Sequence, residues 1–62
     1  MTLICEVPYN TVTMSRLQDT SIDFIIVIDT YRYKVDQKNY IICESPNTPG
    51  THRSIIITAE KL

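Results

Sequence analysis

The chain has sixty-two residues, six basic against seven acidic, and a formal net charge of −1. That makes at most one domain and gives no general attraction to nucleic acid or an anionic membrane surface. No stretch reaches the roughly 18 apolar residues of a membrane span, and "MTLICEVPYN" has neither the basic nor the apolar region of a secretory leader, so a cytoplasmic, soluble domain spanning 1–62 is the expectation.

Ten isoleucines against one alanine (Ala59) and one glycine (Gly50) tilt the composition towards strand. The first segment, Thr2 to Pro8, sets Leu3, Cys5 and Val7 on one parity. Thr2, Ile4 and Glu6 take the other, with Ile4 the only break in a polar face. This is a strand with one buried side, ended or pushed to an edge by Pro8. Residues 10–22, "NTVTMSRLQDTSI", support two readings. Val12 and Met14 alternate with threonines as in a short strand, while Met14, Leu17 and "SRLQD" suit a turn or two of helix. Asp19-Thr20-Ser21 reads as loop, because such side chains compete for backbone hydrogen bonds.

The stretch "DFIIVIDTYRYKV", 23–35, is apolar on both parities in its first half and on one in its second. Ile25, Val27, Tyr31, Tyr33 and Val35 share a parity interrupted by Asp29. Either a bulge near Asp29–Thr30 re-phases one strand, or two layers cover its first half. "DQKN" (36–39) then offers a polar turn before a strand from Tyr40 to Ser45, so 30–45 reads as a hairpin. Pro46, Asn47, Pro49 and Gly50 make the strongest breaker cluster in the chain, and a last strand runs from Arg53 to Thr58. The sum is a mainly β fold: an antiparallel sheet or partly closed barrel of 3–5 strands, with room for one short helix around residues 13–19.

Phe24–Ile28, Ile41–Ile42 and Ile55–Ile57 are contiguous apolar runs, whereas a sheet with one wet face should alternate. Closing the strands into a small barrel buries one face only. The surplus isoleucines, each worth about 1.5–3 kcal/mol on burial, then lie at the surface or against another molecule. A domain this small is marginal alone, so self-association or a protein partner is the expectation. The alternative is a helix over 10–22 covering the second face.

Chemistry finds little to stand on. His52 is the only histidine, and the seven carboxylates are scattered. No nucleophile elbow, metalloprotease helix or phosphate loop occurs, and an enzyme is not expected. Cys5, Cys43, Glu44 and His52 match no zinc spacing, and no cofactor or metal is expected. The two cysteines read as buried thiols, with a disulfide open only if their strands are neighbours.

Tyrosine and arginine are the types enriched at interface centres, so Tyr31, Arg32, Tyr33, Lys34 and Tyr40 form the candidate partner-binding cluster. Asn47 and His52 join it from the proline-stiffened loop, which costs little entropy to order. The expected function is a small non-enzymatic adaptor or inhibitor, of the accessory kind found in phages and mobile elements. The alternative is a small barrel binding single-stranded nucleic acid, with tyrosines for stacking and Arg32 and Lys34 for phosphates. Strict alternation weakens it by placing the rings and the cations on opposite faces.

Overall fold

A computed structural model describes residues 1–62. The elements are β1 (Thr2–Pro8), α1 (Thr11–Gln18), β2 (Ile25–Ile28), β3 (Tyr31–Glu44) and β4 (His52–Lys61). The four strands form one antiparallel sheet in the order β1-β4-β3-β2, curled into a half-barrel around α1. The mainly β class, the strand number and the short helix all agree with the sequence reading.

Segment 10–22 resolves to the helical reading. Asn10, in extended conformation, caps the helix: its Oδ1 accepts from the Thr13 N–H at 2.8 Å, satisfying one of the donors that a helix start leaves free. Arg16 sits in the last turn, where a cation meets the negative end of the helix dipole. Leu17, only 1% exposed, is the side chain that ties the helix to the sheet.

The core has six members: Leu17, Tyr33, Val35, Ile55, Ile57 and Ala59. Leu3, Cys5, Val7, Met14, Phe24, Ile26, Ile28 and Tyr40 pack around it, half-buried. On β1 and β4 one parity serves throughout, since Leu3, Cys5 and Val7 pair with Ala59, Ile57 and Ile55.

On the stretch from 23 to 44 the inward parity changes twice. The first change is at Asp29–Thr30, which is a two-residue hairpin turn rather than a bulge within one strand. Ile28 pairs with Tyr31 and Ile26 with Tyr33. Both turn residues have positive φ, 50° and 69°, the signature of the type I′ turn whose twist matches the strands. Even residues of β2 therefore share the inner face with odd residues of β3, and Ile25 and Val27 turn outward. The expected co-facial set Ile25, Val27, Tyr31, Tyr33 and Val35 is corrected accordingly.

The second change is at "DQKN", expected to reverse the chain. It does not: β3 runs on to Glu44, and both its halves pair with β4. Val35 faces Ala59 and Tyr40 faces Ile57, so residues 36–39 lie opposite Thr58 alone. These polar residues form a large bulge, tied locally by Asp36, which accepts from the Lys38 N–H at 3.1 Å and the Asn39 amide at 2.9 Å. With an odd number of extra residues the phase flips, and Tyr40 and Ile42 follow Val35 onto the inner face.

The bulge also has a reason. It projects Gln37 towards the carbonyls of Arg16, Asp19 and Ile22 at 2.7, 2.9 and 3.1 Å. One amide group thus gathers the end of α1 and the loop that follows it onto β3.

Candidate protein-interaction surface

The helix covers the concave side of the half-barrel, where Leu17 joins the core. The opposite, outer face of the sheet has no covering element. Its middle carries Ile4 on β1, Ile56 on β4 and Ile41 on β3. Ile56 pairs with Ile41, and Ile4 lies diagonally across from Ile56, beside Thr58. Ile4 is 69% exposed and Ile41 63%. On β2, Val27 at 65% and Ile25 make a second apolar spot on the same face, set apart from the isoleucines by Arg32 and Lys34, which lie directly opposite them on β3. Burying such a side chain is worth about 1.5–3 kcal/mol, so water against this strip is a standing cost. The contiguous runs that looked two-sided in the sequence are two-sided in the fold.

Charged and polar side chains frame the strip in pairs. Glu6 accepts from the Ser54 hydroxyl at 2.7 Å and lies 3.9 Å from the Arg53 guanidinium. Lys34 reaches Asp23 at 3.6 Å, and the Thr2 hydroxyl donates to Glu60. These exposed pairs each contribute little to stability. Their consequence is electrical: the frame carries both signs.

The residues singled out in the sequence are dispersed. Tyr33 is 7% exposed and belongs to the core, and Tyr40 is half-buried against it. Tyr31, 52% exposed beside the hairpin turn, lies under the Lys61 ammonium, 3.9 Å from the ring centre. Arg32 and Lys34 are exposed on the other face, opposite Val27 and Ile25. Asn47 is exposed in the 45–51 loop, where Gly50 takes φ 86°. His52 packs against Tyr9, ring centres 4.7 Å apart and the rings tilted by 47°. The expected cluster is thus divided between the core, the hairpin end and the far loop. The outer-face residues Ile4, Val27 and Ile41 are not singled out by the sequence reading, although the apolar surplus points to them collectively.

Cys5 faces inward opposite Ile57, and burial pushes its thiol above the ordinary value. Cys43 pairs with Ser54 across β3–β4, and β4 separates the two strands. Both thiols are free. No three His, Cys, Asp or Glu side chains gather in a way that would hold a metal ion. No helix is long and apolar enough to cross a membrane.

No family model, curated protein or solved structure matches the chain.

Proposed function

We propose that this chain is a small non-enzymatic protein-binding module, of the adaptor or inhibitor type, which self-associates and meets its target through the outer face of the sheet. The observation that carries the reading is the apolar group of exposed Ile4 and Ile41 with half-buried Ile56 between them, and exposed Val27 further along, on a face that no element of the chain covers. Size supports it. The molecule measures 37 × 24 × 17 Å, and its broad side is comparable with the roughly 800 Å² per partner of a standard protein interface. Composition supports it too: an apolar centre within a polar frame is the ordinary layout of such an interface. With charges of both signs in the frame, the complementary partner is a protein surface with an apolar centre and a mixed rim rather than a polyanion.

The test is photo-cross-linking from position 41, with a benzophenone amino acid in place of Ile41, in the cell that makes the protein. A discrete adduct is expected. Its partner, once identified and purified, should bind the wild-type chain and lose at least tenfold in affinity to Ile41→Lys, since a charge then enters the apolar centre. Binding indifferent to Ile41→Lys and Val27→Lys would overturn the reading. So would a labelled single-stranded oligonucleotide that binds tightly at low salt and is released as salt rises.

A further inference from the structure

The partner in self-association can be read from hydrogen-bond parity at the open edge of β1. The Lys61 N–H donates to the Met1 carbonyl at 3.0 Å, and the Tyr9 N–H to the Arg53 carbonyl at 3.3 Å. With the continuous β1–β4 register, odd residues of β1 turn their backbone groups to β4. Even residues, Thr2, Ile4 and Glu6, turn theirs to the open edge. Pro8 faces that edge as well and has no N–H to offer.

From this we propose that two copies of the chain pair antiparallel through β1, about a two-fold axis at Ile4. The proposal rests on the reading of the chain as a self-associating module and names the second copy as the partner. Parity allows only registers that place even residues opposite even residues. A shift placing Ile4 opposite the partner's Glu6 sets Thr2 against the partner's Pro8, where a donor is missing. A shift placing Glu6 opposite its own copy opposes two carboxylates. Centring on Ile4 does neither. Ile4 meets Ile4, each Thr2 meets the other copy's Glu6, and Pro8 stays outside the paired segment. Both copies' Glu6 arrive already compensated by Ser54 and Arg53. The isoleucine pair closes the gap between two outer faces, and the Ile4–Ile56–Ile41 strips become one across six strands.

The other open edge is disfavoured by charge. The Val35 N–H donates to the Phe24 carbonyl at 2.8 Å, so Ile25 and Val27 turn their backbone groups outward on β2, with Asp23 and Asp29 at the strand's flanks. Pairing Ile25 with the partner's Val27 there would set Asp23 against Asp29 twice, and like charges directly opposite destabilise a sheet. β1 is the edge left open.

The test uses the whole chain in light scattering over a dilution series, with amide hydrogen exchange by NMR. A dimer is expected, with the Ile4 and Glu6 amides protected as concentration rises. Ile4→Pro removes an N–H that is free in the single copy, together with an exposed side chain, so it should leave the circular dichroism unchanged and abolish the dimer. Thr2→Glu, placed twice opposite Glu6, should weaken the dimer about fivefold, and Thr2→Lys should strengthen it by a similar factor. A monomer at every concentration, Ile4 and Glu6 amides that never become protected, or a dimer indifferent to both Thr2 variants would overturn the proposal. A dimer broken by Ile41→Lys but not by Thr2→Glu would also overturn it, while leaving the outer face as a contact surface.

Discussion

Replacing Thr30 by glycine should stabilise the domain. Thr30 holds φ 69° as the second residue of the β2–β3 turn, directly after Asp29 at φ 50°. A left-handed backbone costs an L-residue about 1–2 kcal/mol, and the branched Cβ of threonine keeps Thr30 from the relief that asparagine and aspartate find there. Glycine removes that cost and adds about 0.4–1 kcal/mol of unfolded-state freedom, leaving a net gain of about 0.5–1 kcal/mol. For a domain of this size that raises Tm by about 3–6 °C. Thermal unfolding followed by circular dichroism reads it, with urea denaturation at constant m as the second measure. Thr30→Asn is the control, since it accepts the left-handed region without glycine's entropy and should gain a similar amount. If both variants prove neutral or destabilising while the β2–β3 pairing persists in hydrogen exchange, the positive-φ turn is not strained and the reasoning fails.

Three further outcomes are expected. Leu17→Ala should cost about 2–5 kcal/mol, comparable to the whole stability of a small domain, and chemical denaturation should show a largely unfolded chain at room temperature. Gln37→Ala removes the amide that gathers three carbonyls. It should lower stability by about 1 kcal/mol and speed amide exchange over residues 16–23 more than in β4. The Asn39 side chain, followed by the Lys38 N–H, holds the Asp36 carboxyl below its ordinary value of 3.8. A depressed carboxylate stabilises the fold above the unfolded value, and that contribution is lost as pH falls through the lower folded one. The Lys38 amide resonance should therefore titrate below pH 3.8, and Asn39→Ala should move that titration upward.

Much of this architecture was legible in the residues. The alternation of Leu3, Cys5 and Val7 marks β1, the cluster from Pro46 to Gly50 marks its loop, and "SIIIT" marks the heart of β4. What could not be read were the two phase changes. Asp29-Thr30 lacks the glycine that announces a tight hairpin, and apolar residues run up to it on one side and tyrosines on the other. "DQKN" has the composition of a turn, and composition does not distinguish a reversal from a bulge that sends Gln37 to a helix. That choice depends on a partner strand seventeen or more positions away. With those two phases unknown, Tyr33 and Tyr40 looked as available as Tyr31, and the outward residues Val27 and Ile41 could not be separated from their inward neighbours. The surplus itself was readable, because it depends on amounts rather than on phase.

The strand order also sets a timetable. β4, the last of the five elements in chain order, is the piece that joins β1 to β3, and it brings Ile55, Ile57 and Ala59 to the core. While the chain is being made, the β2–β3 hairpin can close early, since its turn is local. β1 must wait for a partner that begins at His52. A pairing so distant in the sequence is slow to find, because the intervening loop must be closed before any contact rewards it. During that wait the inner side of β1 and the inner side of the hairpin are both bare, and a neighbouring nascent chain presents the same surfaces. The cell that produces this protein therefore meets its stickiest form before the sheet closes, and the final ten-residue strand removes it in a single step.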